Sequence, residues 1–246
     1  MRRGVILCDE QIPFQINLKP INRFLKDFQP DIICRLGDML DMTALQGWSH
    51  KKPGDIDWDE IKNEIDIAND ILDEQDSICH RAKEKHFVFG NHEERLKLFG
   101  EKFPEYWRKN GRSVPYLMRD LKLKERGYIT HGQNNLFNIG RLFMFHGEDY
   151  STHHARKNLA DYERNLVYGH VHSEQVYTKV SPVNGAAKSA WALGCLCSRN
   201  PEWKNGAPNS WTNGFAVFYV LPDGRFNIYS IRINGGKFIS PDGKVY

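Results

Sequence analysis

The stretch Phe87-Val88-Phe89-Gly90-Asn91-His92-Glu93-Glu94 (FVFGNHEE) decides how this chain is read. Three apolar residues run into a glycine, then into an amide, an imidazole and two carboxylates. A short apolar run of this kind reads as a strand covered on both faces. In an open α/β sheet, ligands collect in the crevice beyond the carboxyl ends of the strands, and the first turn of a following helix offers free N–H groups and a positive dipole end. The stretch therefore predicts a strand, a turn and a helix start, with Asn91 and His92 at the rim of a crevice. A Gly-Asn turn is also an ordinary way to end a strand. The functional reading requires partners elsewhere in the chain.

Upstream, the pattern recurs twice. Asp31–Leu36 (DIICRL) is an apolar run that delivers Gly37, Asp38 and then Asp41, and Gly4–Cys8 (GVILC) delivers Asp9, Glu10 and Gln11. Between these two runs, Leu18, Ile21, Phe24, Leu25 and Phe28 recur at helical spacing and Pro30 closes the segment. Between Asp38 and the opening stretch lie a loop from Thr43 to Gly54 and a long helix from about Trp58 to Arg81. Ile61, Ile65, Ala68 and Leu72 form the stripe of that helix, and Asp57 with Glu60 forms a capping pair. Alternating strand and helix predicts an α/β fold.

Downstream, Glu93–Arg126 reads as helical pieces broken at Pro104, Gly111 and Pro115. From Gly127 the period shortens to strands at Tyr128–Thr130, Leu136–Ile139, Leu142–Phe145, Leu166–Tyr168, Gln175–Val180, Ala190–Leu193, Phe215–Leu221 and Phe226–Ile233. Pro222-Asp223-Gly224 marks a hairpin, one helix is expected around His154–Arg164, and Ser198–Asn213 reads as an irregular loop.

At 246 residues with 40% hydrophobic content, the chain can bury a sizeable core. One domain spanning 1–246 is expected, with a basic helical insert at about 93–126. No apolar run reaches the ~18 residues of a membrane span, and the apolar start MRRGVILCDEQ is interrupted at Asp9. The five cysteines are scattered, which fits reduced thiols and a cytoplasmic setting better than a disulfide framework. A net charge of +3 does not by itself imply a nucleic-acid partner. Charge is unevenly spread: Asp55–Asp76 carries ten acidic residues against Lys62 alone, whereas Arg95–Arg126 carries ten basic residues against four acidic ones. Two readings stand, a pair of solvated segments neutralising each other and a polyanion-binding face.

Strand ends thus carry Asp9 and Gln11, then Asp38, then Asn91 and His92, then His146 in FMFHGE, then His170 and His172 in YGHVH. Carboxylates, imidazoles and amide oxygens together suit borderline divalent metals such as Mn²⁺, Fe²⁺ and Zn²⁺, and this many ligands points to a two-metal site.

The blocks DEQ, GDMLD, GNHE, FHG and GHVH resemble, in order, those of the calcineurin-like metallophosphoesterase superfamily, across about two thirds of the chain. The resemblance implies a four-layer α/β/β/α sandwich with two mixed sheets. It implies one metal on Asp9, Gln11, Asp38 and His172, and a second on Asp38, Asn91, His146 and His170, with Mn²⁺ the first expectation and Fe²⁺, Zn²⁺, Ni²⁺ or Mg²⁺ the alternatives. Two metals lower the pKa of a bridging water and clamp the phosphate for in-line displacement. His92 would assist the leaving oxygen, and Asp41 would orient His92 or a ligand histidine. Most members carry histidine where Gln11 stands, which leaves the first metal more weakly held. Met42-Thr43 after GDMLD departs from the protein serine/threonine phosphatases, and GHVH is similar to the phosphodiesterase and nuclease branches. A phosphodiester of a nucleic acid or nucleotide is therefore the expected substrate, with a phosphomonoester metabolite, or a scaffold without catalysis, as alternatives. No membrane partner is expected.

Other residues carry weaker expectations. His131, His153 and His154 read as exposed or structural rather than as substrate contacts, and Glu148 and Asp149 beside His146 read equally as turn residues or as supports of a metal ligand. Cys195 and Cys197 read as buried thiols rather than a zinc site, since no second cysteine pair accompanies them. Trp191, Trp203 and Trp211 are candidates for stacking on bases, with core or loop anchoring as the alternative.

Overall fold

The computed structural model describes residues 1–110, 116–201 and 205–246. Eleven strands among them form two mixed sheets. In the first, β1 (Arg2–Leu7), β2 (Ile32–Arg35), β3 (Glu84–Val88) and β4 (Tyr128–His131) run parallel in that order. Beyond β1 this sheet continues antiparallel through β10 (Asn213–Val220) and β11 (Phe226–Ile233). The second sheet has the order β5 (Phe137–Ile139), β6 (Leu142–Met144), β7 (Leu166–Tyr168), β9 (Ala187–Ala192), β8 (Gln175–Val180), with β6, β7 and β9 parallel.

Strand periodicity builds the layers. On β1, Ile6 faces a cluster shared with Met144, Val167 and Ile139 of the second sheet, while Val5 and Leu7 face Ile21, Phe24 and Leu25 of helix α1 (Lys19–Phe28). Alternate side chains project to opposite faces, so one short apolar run serves two cores. Helix α2 (Trp58–Ile78) covers the same outer face with Ile61, Ile65, Ala68 and Leu72, and its N-cap Asp57 accepts hydrogen bonds from the Asp59 and Glu60 amides. Helix α6 (His154–Tyr162) packs Ala155 and Leu159 on the outer face of the second sheet. The expected four layers follow: helices, sheet, sheet, helix.

After β3 the chain forms α3 (Asn91–Lys102), α4 (Pro104–Asn110) and the single turn α5 (Leu117–Asp120). Pro104 opens α4 as expected; the breaks read at Gly111 and Pro115 lie outside the described residues. This basic segment is tied to the acidic helix: Arg126 pairs with Asp73 at 2.7 Å and Asp76 at 2.9 Å, and the Asn69 side chain donates to the Asp120 carbonyl at 2.8 Å. Among the described residues, no helix is long and apolar enough to cross a membrane.

Candidate metal centre

The strand ends meet where the two sheets face each other. Backbone geometry there is unusual, since Asp9, Gln11, Asp38, His170 and His172 all adopt left-handed conformations, with φ between 45° and 68°. Such conformations each cost non-glycine residues on the order of 1–3 kcal/mol and persist only where the surroundings enforce them. Here they turn ligand-type side chains inward at the ends of strands. Gly90 must be glycine for a related reason: a Cβ would stand 2.1 Å from Asp38 Oδ1.

Four donor atoms converge on one point. His146 Nε2 lies 3.3 Å from Asp38 Oδ2, 3.0 Å from Asn91 Oδ1 and 3.2 Å from His170 Nδ1. The His146 Nδ1–H donates to the Leu36 carbonyl at 2.6 Å, which fixes the tautomer and leaves Nε2 as a lone-pair donor toward the cluster. These are the residues expected to share the second metal. The other expected group gathers beside them: His172 Nε2 lies 3.5 Å from Asp9 Oδ1 and 3.4 Å from the Gln11 amide. Asp9 is held in place by the His170 backbone N–H, which donates to both carboxylate oxygens at 3.0 and 3.1 Å.

The donor set fits divalent metal. Lone pairs of two imidazoles, a carboxylate and an amide facing one another at about 3 Å have no stable arrangement without a cation or protons among them, and the His170 Nε2 is buried with no hydrogen-bond partner. The titrations carry the same signature. Against the cost of burial, the charges of His146 and His92 hold Asp38 far below the usual carboxylate range. Although burial disfavours their charged forms, the Asp38 carboxylate raises His146 and His92 to about 9. Burial, reinforced by His146, drops His170 to about 4. In the metal-free state it is His146 that holds a proton within the cluster, beside the Asp38 carboxylate.

His92 donates from Nδ1 to the Asp41 carbonyl at 2.7 Å, so its Nε2 faces the cleft, 3.7 Å from Asp38 Oδ2. The orienting contact expected from Asp41 is thus made chiefly by its backbone, with the carboxylate 3.4 Å away. The cleft above the cluster has a volume of about 640 Å³; Gln11, Asp38, Asp41, Asn91, His92, His170 and His172 line it, while Asp9 and His146 lie fully buried beneath.

Several residues went unassigned in the sequence. Glu93, read only as a helix start, is buried and accepts hydrogen bonds from the backbone N–H groups of Asp38 at 3.0 Å, Leu40 at 2.9 Å and Gly90 at 2.7 Å. It clamps the GDMLD turn to the GNHE turn. Arg95 also lines the cleft and donates to the Asp41 carbonyl at 2.9 Å, and the exposed rings of Phe14 and Tyr150 stand at the mouth. The remaining candidates divide. His131 pairs with His86 at 2.9 Å, His154 bonds the Tyr168 hydroxyl, Asp149 pairs with Lys157, and Trp191 packs beneath Phe226. His153 sits at the start of α6 and Glu148 is exposed. Trp211 lines the cleft; Trp203 lies outside the described residues. Cys195 and Cys197 are buried free thiols as expected, although with His172 they form a second group of potential ligands within 4.8 Å of one another, Cys197 Sγ lying 3.9 Å from His172 Nδ1.

A buried carboxylate–imidazole–amide cluster at the ends of two facing mixed sheets defines a metallohydrolase site. The family model for calcineurin-like phosphoesterases matches residues 14–174, and the chain belongs to that family as a metal-dependent phosphoesterase. Asp9 and Gln11 precede the matched segment. Over 264 residues the chain is 22% identical to the Gene 54 protein of Mycobacterium phage L5, covering all of this chain and 98% of that one, and it is 24% identical to the Gene 54 protein of phage D29. Among solved structures, it is similar to zinc-bound Vps29 of Entamoeba histolytica at 15% identity and a TM-score of 0.48, covering 99% of this chain and 97% of that one. A predicted phosphoesterase of Streptococcus pneumoniae matches at 10% identity and a TM-score of 0.37, covering all of this chain and 92% of the other.

Proposed function

We propose that the protein hydrolyses phosphodiester bonds of nucleic acids or nucleotides, with Asp9, Gln11, Asp38 and His172 holding one divalent metal, and Asp38, Asn91, His146 and His170 a second. The observation that carries the reading is the convergence of Asp38, Asn91 and His170 donor atoms at 3.0 to 3.3 Å from His146 Nε2. Metal ions bound there would supply Lewis-acid activation of water and neutralise phosphate charge. Mn²⁺ is the favoured ion, since carboxylate and amide oxygens stand beside the three imidazoles in the expected ligand set.

The chain's own groups supply the rest. His92, its Nδ1–H fixed on the Asp41 carbonyl, presents Nε2 to the cleft. In the metal-free protein, against the cost of burial, the Asp38 carboxylate raises His92 to about 9, and a protonated Nε2 is the state needed to hand a proton to a departing oxygen. Arg95 offers a fixed cation to a phosphate oxygen. Glu93 and the left-handed turns hold the ligands in position before substrate arrives, so little reorganisation is required on binding.

The test compares bis-p-nitrophenyl phosphate with p-nitrophenyl phosphate at matched Mn²⁺. The diester is expected to turn over faster, and His92→Asn to lower its kcat by about 10² to 10⁴. Preference for the monoester would overturn the diesterase assignment, and inertness toward both would leave a metal-binding scaffold.

A further inference from the structure

The cleft is lopsided. Its floor is the charged cluster, but its mouth carries aromatic rings that the fold leaves open to water: Phe14 is 43% exposed and Tyr150 71% exposed. Two of the cleft's rings lean on the paired histidines. Trp211 stands edge-on to His172 with centroids 4.2 Å apart, and Tyr150 lies tilted against His170 at 4.4 Å. Phe14 is anchored three residues beyond Gln11, where its amide donates to the Gln11 carbonyl at 2.7 Å and its carbonyl accepts from the Ser198 amide at 2.8 Å. That bond joins the Phe14 turn to the segment that leads to Trp211, and Trp211 itself stands against His172, so both rings are held on the Asp9–Gln11–His172 side.

Exposed rings add nothing to the core and lose about 25 cal/mol for each Å² of apolar surface left in water. At the rim of a cleft they offer a flat face to a flat partner. Besides the charged cluster, Asp41 and Arg95, the lining includes the neutral, hydrogen-bonding side chains of Gln46, Ser198 and Asn200. Among the described residues, Arg95 is the only lysine or arginine lining the cleft. Sites that track a nucleic-acid strand combine stacking rings with a row of cations along the backbone. A cleft of about 640 Å³ with several rings and one cation matches one base and one phosphate instead.

We infer that the cleft recognises a single nucleoside phosphate unit, the base stacking on the Phe14 and Trp211 side and the phosphate seated over the metal cluster beside Arg95. The inference rests on the phosphoesterase reading and narrows its substrate to one nucleotide rather than a strand. The neutral amides and hydroxyls of the wall then face the base edge, and Tyr150 flanks the opposite side of the phosphate.

Calorimetric titration of the Mn²⁺-loaded protein with adenosine 5′-monophosphate and with ribose 5-phosphate isolates the base, because sugar and phosphate are common to both. Stacking is worth about 1–3 kcal/mol per base, so the nucleotide is expected to bind at least about fivefold tighter. Trp211→Leu and Phe14→Leu should each shrink that advantage, and Trp211→Phe should retain most of it. Phe14→Leu alters an exposed ring, so its folding is not at issue. Equal affinities in the unsubstituted protein would overturn the inference, as would a single-stranded decanucleotide binding more than about tenfold tighter than the mononucleotide. Release of inorganic phosphate from the nucleotide would instead sink the diesterase assignment, and the ratio of kcat/KM for the nucleotide over ribose 5-phosphate then decides the inference by the same criterion.

Discussion

The strand-end cluster and the helical segment Arg95–Arg126 are both rich in charge, yet they treat it in opposite ways. At the strand ends, Asp9, Asp38, His146, His170 and His172 are buried, come from distant parts of the chain, and turn their polar atoms toward one another. In the helical segment the charges are mostly exposed or matched locally: Lys97 pairs with Glu94, Arg108 with Glu105, Arg119 with Asp120 and Arg126 with Asp73 and Asp76. Buried charge that is not self-neutralised is unstable without a ligand or protons, and a fold retains it only where function needs it. Exposed pairs contribute about 0–1 kcal/mol and carry no such implication.

The comparison breaks if the cluster proves dispensable. Asp38→Asn keeps the side-chain volume and an acceptor for the His92 backbone N–H, which lies 2.9 Å from Asp38 Oδ1, while removing the negative charge. Diester hydrolysis should fall by about 10³-fold or more, because several kcal/mol of charge stabilisation depend on that ligand. Chelation with EDTA should produce the same loss in the unsubstituted protein, reversed by added Mn²⁺. Retained activity in either case would remove the metal cluster from the mechanism. Glu93→Ala probes the scaffold under the cluster. It strands three buried backbone N–H groups, so unfolding in urea should show a loss of about 3 kcal/mol. A loss below about 1 kcal/mol would mean that the GDMLD and GNHE turns hold each other without the clamp.

The metal-cluster residues were legible because each lies at the end of an apolar strand, and five such ends in a fixed order are hard to assemble by chance. The layers were legible as well: strands such as Leu166–Tyr168, Gln175–Val180 and Phe226–Ile233 fall where their short β-rich runs place them. What stayed hidden was buried polarity on helices. Glu64 and Gln75 of α2 and Glu93 of α3 are buried, but in sequence they sit among solvent-facing acids and carry no distinguishing spacing. Their partners are backbone N–H groups or the buried Arg35, contacts that depend on tertiary placement alone. The role of Tyr150 was equally silent, since an exposed tyrosine becomes meaningful only once His170 is beside it.

Glu64 sharpens the contrast, because it is a buried carboxyl outside the cluster that keeps its proton instead of facing other ligand-type groups. One oxygen accepts the Met42 backbone N–H at 2.8 Å and the other has no partner; burial, above all, raises its carboxyl to about 8. In the unfolded chain the group titrates near its ordinary value of 4.5. Between those values the folded protein holds a proton that the unfolded chain has released, so this contribution to stability is complete below pH ~4.5 and drains away as pH rises toward ~8. Glu64→Gln preserves the acceptor for Met42 and abolishes the titration. Its stability relative to the unsubstituted protein should therefore rise by about 4 kcal/mol between pH 5 and pH 8.5, measured by urea denaturation at each pH. A difference that stays flat with pH would mean that the carboxyl is solvated in the fold.

The smallest effect is expected from the charges that drew most notice in the sequence. Arg108 and Lys109 are exposed on α4, Arg108 within a local pair with Glu105 at 3.1 Å, and Arg112 lies outside the described residues. Neither Arg108 nor Lys109 lines the metal cleft. If the cleft takes one nucleoside phosphate, the double substitution Arg108→Ala/Lys109→Ala should change kcat/KM for a nucleoside p-nitrophenyl diester by less than about twofold, within the range of an exposed ion pair. The salt dependence provides the stricter measure. Two cations touching a single strand would each release condensed counterions, so their removal would flatten the slope of log affinity against log salt by about 1.4. An unchanged slope leaves recognition at the strand ends. A slope flattened by that amount would extend the substrate surface across the helices and make the basic segment part of the site.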